Sequence, residues 1–458
     1  MEPLWDIEID MDTPATIAVL GAGPTGIETA LYARFLGYDV VLVEQTKPAS
    51  AAIAWADRSL GAPLRELISS LGIRALEAQG HNLTCLDDTA DATGAQWATS
   101  YLTPLAKSDL IADCVLPFTR VVDVGRWQTH KYDSVDSQSR CNDEFRLLLH
   151  SDKRGSWVAP VDVVIDCTGK SPRRSGLGPN GMQAAFTEAV IPNRETESVE
   201  QGMDGPPVIL DPSTVERTVR QQRLIESELP RWRDKDQSRY VGKTVCLSGD
   251  SPQALVAASD WLDMAEPMRE SKLIWLVPDR SENPEFDTHS SVIADLARRL
   301  SSQNFAFGLM PIRGIERIKH HPPTQPPTAE HPLTLSLRRS DQTTVDLRCD
   351  QLVSLPVAEP NFDFCQSLRV IQDTSSCKWP MRVLPPESFE TAEPHYYVVG
   401  SKSTPSHCVA TLHPEDTVEP EAPVGGFLDI ATSLQATRSQ IRQLFALLGH
   451  RMDLNLYA

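Results

Sequence analysis

The chain is most constrained near its start, where the apolar run TIAVL (residues 16 to 20) leads into GAGPTG and then a helix-like stretch. Each glycine of that turn has a job. Gly21 permits a tight exit from a strand, Gly23 lets backbone approach a diphosphate, and Gly26 lets a helix pack close to the sheet. A helix opening there offers free N–H groups and the positive end of its dipole to phosphate oxygens. The next apolar run, VVLV (40 to 43), ends at Glu44, about 20 residues on, where an acid accepts hydrogen bonds from an adenosine ribose. A carboxylate there suits a diol and repels a 2′-phosphate, so the turn is expected to hold FAD or NAD in preference to NADP. Gly37 stands where the helix needs a left-handed stop.

With 458 residues the chain is long enough for several domains, and its 23% charged residues fit globular rather than disordered protein. A formal net charge of -19 disfavours nucleic acid and anionic membrane surfaces as partners. Residues 1 to 13 carry Glu2, Asp6, Glu8, Asp10 and Asp12 without Lys or Arg, the reverse of a targeting segment, and no apolar run is long enough to span a bilayer. A cytoplasmic protein is expected. Nine cysteines occur without a CxxC pair, which points to neither a disulfide framework, a zinc site nor an internal redox disulfide. His320, His321 and His331 fall in a Pro-rich stretch with no convergent scaffold, so no metal is expected.

Further along, RVVDV (120 to 124), FRLLLH (145 to 150) and VDVVIDCTG (161 to 169) read as strands, the last as a buried parallel one ending at a glycine. Residues 185 to 240 are rich in Glu, Arg, Pro and Gln and read as a linker or surface excursion. A second strand-turn-helix follows: KTVCL (243 to 247), GDSPQA (249 to 254) and an Ala-rich helix, with another strand, KLIWLV (272 to 277), ahead of Asp279 and Arg280. This repeats the first unit and implies an internal duplication. YYVVG (396 to 400) is a late buried strand, and an amphipathic helix is expected over 427 to 448. The chain therefore reads as an α/β protein, a first Rossmann-like domain with a smaller Rossmann-like domain inserted. The expected boundaries are 14–240, 241–358 and a return segment 359–458.

These landmarks together resemble the flavoprotein oxidoreductases built from an FAD domain with an inserted NAD(P)H domain, a plan shared by thioredoxin-reductase-like reductases and flavin-containing monooxygenases. YLTPLAKSDL (101 to 110), GLGPNGMQA (176 to 184) and GSKS (400 to 403) are similar to segments of a bacterial group of FAD-dependent oxidoreductases. The resemblance implies FAD as cofactor, with Gly21, Gly23, Gly26 and Glu44 at its diphosphate and ribose and backbone at Val121 against the adenine. It sets Thr168 and Gly169 beside the cofactor and Gly400 with Ser401 near the ribityl chain, Ser401 standing where such proteins often carry an Asp. Lys402 could touch the flavin or be a solvated loop lysine. The last helix would aim its N-terminal dipole at the flavin pyrimidine edge.

The inserted domain departs from the pattern. In GDSPQA, Gly249 is kept but Ser251 replaces the glycine at which a diphosphate needs close backbone approach. If NAD(P)H binds, Arg280 favours a 2′-phosphate and hence NADPH over NADH, although it reads equally well as a solvated charge. The expected activity is an FAD-dependent, NAD(P)H-using oxidoreductase, monooxygenase-like, acting on a small organic substrate. The alternatives are an NAD(P)H-dependent reductase of a quinone or protein acceptor, and an FAD-binding sensor or partner-binding protein that has lost catalysis. No catalytic acid or base can be assigned.

Overall fold

The computed structural model describes residues 15–82, 89–133, 137–171, 176–178, 182–188, 212–232, 237–264, 266–279, 290–322, 331–356, 359–370, 372–373, 382–383, 389–403 and 430–458. The chain divides into two compact units. The first comprises residues 1–171 and 360–458, the second residues 172–359.

The first unit is built on a five-stranded sheet in the order Tyr396–Val398, Val163–Asp166, Thr16–Leu20, Asp39–Val43, Val115–Leu116. Every neighbouring pair is parallel. Thr16–Leu20 is the central strand, and Ile17, Ala18, Val19 and Leu20 are wholly buried, as a continuous apolar run covered on both faces requires. Between it and Asp39–Val43 runs the helix Pro24–Phe35. It starts with Pro24, whose missing N–H costs nothing in a first turn, and is followed by Gly37 at φ +93. The final helix, Ile430–Leu448, packs on this helix through a Tyr32–Phe445 stack with centroids 5.2 Å apart. Residues 427 to 429, where the helix was expected to begin, lie outside the described residues.

A three-stranded antiparallel sheet, Arg120–Arg126, Phe145–Ser151 and Gly155–Val161, completes this unit. Phe145, Leu147 and Leu149 alternate inward. Two buried guanidinium groups tie the sheet to the return segment: Arg126 Nε and Arg140 Nε both donate to Glu393 Oε1 at 2.9 Å, and Arg140 Nη2 donates to Oε2 at 2.8 Å. His395 lies nearby, and burial, with the Arg126 charge beside it, lowers its pKa to about 4.

In the second unit a parallel sheet runs Ile225–Glu226, Gln351–Ser354, Thr244–Ser248, Lys272–Pro278, Ala306–Ile312. A four-stranded sheet, Ala185–Glu188, Gly314–His320, Leu333–Arg338 and Thr344–Cys349, stands beside it in the same unit. In both parallel sheets the strand that leads into the glycine turn lies in the centre, with the next two strands of the sheet in sequence on one side and a later strand, Val163–Asp166 or Gln351–Ser354, on the other. The edge strand beyond it comes last in the chain in the first sheet and first in the second, as Ile225–Glu226. One boundary differs from the expected 14–240. Ala185–Glu188 pairs with Gly314–His320, and Ile225–Glu226 pairs with Gln351–Ser354, so the described residues between 172 and 240 belong to the second unit rather than to a linker of the first. Their strands are too short and too polar to have been read from pattern. No helix of the described residues is long and apolar enough to cross a membrane.

Candidate functional site

The first glycine turn sits where the strand order reverses, between Thr16–Leu20 and Val163–Asp166, the position at which parallel α/β sheets leave a crevice beyond their strand ends. Gly21 has φ +92, and its N–H donates to the Val43 carbonyl at 2.7 Å. A Cβ on Gly26 would lie 1.8 Å from the Gly21 carbonyl oxygen, so only glycine lets the helix seat this closely on its own turn. Gly23 is different in kind. A Cβ built there meets nothing within 4 Å, and Gly23 is the N-cap of a helix with no side-chain cap and no acid in its first turn. Unsatisfied N–H groups at a helix start, beneath open space, form a cradle for an anion.

Glu44 is buried at the lip of this turn. Its Oε2 accepts from the Ala22 N–H at 2.9 Å, and its Oε1 accepts from the Thr46 N–H and Oγ1, both at 2.7 Å. The carboxylate is thus fixed by backbone on both sides, with one acceptor position left over, on Oε2, since each oxygen can accept two bonds. Leu116 to Thr119 run alongside: the Glu44 N–H donates to the Leu116 carbonyl at 3.0 Å, and the Thr119 N–H to the Glu44 carbonyl at 2.8 Å. Val121 follows two residues later in the strand Arg120–Arg126, half-buried and paired with Leu149.

Two further strand ends converge on the same place. Thr168 and Gly169 (φ +67) follow Val163–Asp166, and Gly400 (φ +88) and Ser401 follow Tyr396–Val398. A Cβ on Gly400 would stand 2.9 Å from Thr25 Oγ1 in the first helical turn, and one on Gly169 would stand 3.3 Å from Ser401 Oγ. Ser401 is exposed. The final helix reaches this turn through its middle, Gln440 Oε1 accepting from the Gly400 N–H at 3.0 Å and Gln440 Nε2 donating to Ser403 Oγ at 3.0 Å.

Lys402 is not a solvated loop lysine. Its side chain is wholly buried, its ammonium donating to Asp166 Oδ2, to Thr168 Oγ1 at 3.1 Å and to the Asn361 carbonyl, 4.2 Å from the centre of the Phe362 ring. Asp166 also accepts from the Thr168 N–H and Oγ1, at 3.0 and 2.6 Å, and from the Tyr396 hydroxyl at 3.1 Å. A charge needs a partner in an apolar interior, and Asp166 supplies it. The pair locks the Thr168–Gly169 turn to the Gly400–Ser401 turn from behind.

A second buried cluster went unassigned in the sequence. Glu28, on the first helix, accepts from the Tyr101 hydroxyl and from Ser69 Oγ at 2.8 Å, and burial raises its pKa. Tyr101 sits on a single π-helical turn, Ala98–Leu102, and a Cβ on Gly72 would lie 1.9 Å from its hydroxyl. The signal was present in an acid within the apolar run of the helix, and in the tyrosine of YLTPLA.

The turn of the second unit is closed where the first is open. Ser251 is wholly buried and caps the helix Pro252–Leu262, its Oγ accepting from the Ala254 N–H at 3.2 Å and donating to the Leu355 carbonyl at 2.5 Å. Gly249 has φ +124, and a Cβ there would lie 2.2 Å from the Leu355 carbonyl oxygen. Arg280 lies outside the described residues. Of the described cysteines, Cys114, Cys167, Cys246, Cys349 and Cys365 are buried and Cys141 is partly so, all as free thiols. Burial holds Cys167, beneath the first glycine turn, at a pKa of about 12.

Two five-stranded parallel sheets, each with a glycine turn after its central strand and one inserted in the chain of the other, define an architecture of two Rossmann-like units. No protein-family model matches the chain. No curated protein matches it either. Among solved structures it is similar to bacillithiol disulfide reductase of Bacillus cereus, with 13% identity, 93% of this chain and 99% of that chain covered, and a TM-score of 0.53. It is similar also to bacillithiol disulfide reductase of Staphylococcus aureus, with 12% identity, 92% and 98% covered, and the same TM-score of 0.53. At these identities the likeness shows the fold.

Proposed function

We propose that the first unit holds FAD and that the chain is an oxidoreductase reduced by NAD(P)H that passes electrons to oxygen or to a small organic acceptor. The observation that carries this reading is the uncapped helix start beneath the open space at Gly23, within reach of a fixed carboxylate at Glu44. In it, N–H groups of the first helical turn take the diphosphate, Glu44 the adenosine ribose and backbone near Val121 the adenine. Thr168, Gly169, Gly400 and Ser401 flank the remainder of the cofactor. Flavin, when bound, supplies hydride acceptance and its onward transfer. The chain itself orients that group, and the buried Lys402–Asp166 pair keeps its two flanking turns in register.

The second unit is proposed to receive the nicotinamide nucleotide, against an obstacle: Ser251 already occupies the Ala254 N–H that a phosphate would use. The names of the two similar structures favour a second reading, reduction of a small-molecule disulfide. The chain has no CxxC pair for an internal relay.

The visible spectrum of the purified protein, before and after incubation with FAD, tests the first part; no flavin absorbance after desalting overturns it. Anaerobic mixing with NADH and NADPH tests the donor. Mixing the reduced protein with oxygen or with a low-molecular-weight disulfide then separates the two acceptors, because a hydroxylating enzyme accumulates a flavin–oxygen adduct and a disulfide reductase is reoxidised by the disulfide.

A further inference from the structure

Phe118 is the feature of the first unit that folding alone does not explain. Its φ is +54, in the left-handed region that bulky side chains avoid, and 57% of it is exposed. Among the described non-glycine residues with positive φ it is the one large apolar side chain left in solvent. Glycine or asparagine would serve the turn without steric cost, and a polar residue would serve the surface. The conformation is held by backbone: the Phe118 N–H donates to the Thr46 carbonyl at 3.0 Å, and the flanking residues Leu116 and Thr119 are bonded to Glu44. Thr46 in turn grips the Glu44 carboxylate by its N–H and hydroxyl. An aromatic ring is therefore presented at the same lip as the carboxylate.

We propose that Phe118 is the platform on which the adenine of the bound dinucleotide stacks. The proposal rests on the reading above that Glu44 takes the adenosine ribose, and it adds the residue that recognises the base. A purine is the flat apolar group joined directly to that sugar, and stacking on one aromatic face needs no hydrogen-bond code. Strain at an exposed aromatic is retained where a ligand uses it.

The test titrates full-length wild type, Phe118→Ala, Phe118→Trp and Phe118→Gly with FAD, and in parallel with FMN, which lacks the adenosine, while thermal unfolding of each ligand-free protein is recorded. Removal of a stacking ring weakens FAD binding about 5- to 100-fold in Phe118→Ala and Phe118→Gly. Phe118→Trp keeps it, FMN binding is the same in all four proteins, and Phe118→Gly unfolds no earlier than wild type. Unchanged FAD affinity in Phe118→Ala overturns the platform while leaving FAD binding intact. So does an equal loss for FAD and FMN, which signals a disturbed turn. A wild type that binds no FAD removes the underlying reading and the platform together.

Discussion

Gly23 and Gly26 lie three residues apart, yet replacing each with alanine is expected to fail in opposite ways. In Gly26→Ala the new methyl carbon begins 1.8 Å from a backbone oxygen that cannot rotate aside, so the helix must retreat from its turn by about 1 Å or more. Overpacking of this kind costs about 1–3 kcal/mol, against a gain of up to about 1 kcal/mol from alanine's helix propensity. The net loss of about 1 kcal/mol lowers Tm by roughly 2–4 °C. In Gly23→Ala the methyl meets nothing, φ -74 and ψ -174 suit alanine, and the cost is about 1 kcal/mol for a poorer N-cap. That methyl does fill the space proposed for the diphosphate. Losing one charge-assisted hydrogen bond worth about 1.5–3 kcal/mol weakens FAD binding roughly 10- to 100-fold. Calorimetric unfolding of the ligand-free variants and fluorescence titration with FAD read the two effects separately. If Gly23→Ala binds FAD with the wild-type Kd, no diphosphate lies over this turn and the reasoning is refuted.

Lys402→Met leaves Asp166 charged and buried, which is expected to cost about 3–5 kcal/mol in denaturant unfolding. Adding Asp166→Asn recovers much of that, and a single variant as stable as wild type shows that the pair contributes nothing. Ser251→Gly frees the Ala254 N–H for a phosphate at a cap cost of only a few tenths of a kcal/mol, so the concentration of NADH or NADPH giving half-maximal anaerobic flavin reduction falls; no change shows that the serine is no obstacle. His395 is held neutral by burial, its stabilisation present above pH 6.5 and lost as pH falls through about 4, so wild type sheds about 3 kcal/mol over that range. A His395→Gln variant whose acid unfolding follows the wild-type curve removes histidine as the cause.

The first glycine turn was legible because its requirements are local: a strand, three glycines, a helix start and an acid at the end of the next strand are consecutive in sequence. Ser251 was legible for the same reason, its side chain falling where phosphate contact needs none. Lys402 was not, since its destination depends on Asp166 and Asn361, far away in the chain, and nothing in GSKS says which way the lysine turns. The extent of the second unit was hidden by strands such as Ile225–Glu226, too short to show a period, whose partners decide where they belong. Glu393, between Arg126 and Arg140, gave no local sign of joining a sheet to the return segment. Glu28 and Tyr101 each left a mark in the sequence, but their meeting depends on a π turn and on Gly72.

Because the first unit is made from both sides of the insertion, its sheet waits for the whole second unit to be synthesised. Until Tyr396–Val398 emerges from the ribosome, Val163–Asp166 is an open parallel edge, a template for pairing with other chains. Asp166 meanwhile has no ammonium to neutralise it. A fragment of residues 1–171 should therefore clump when expressed by itself, and supplying residues 360–458 as a separate polypeptide is the natural rescue.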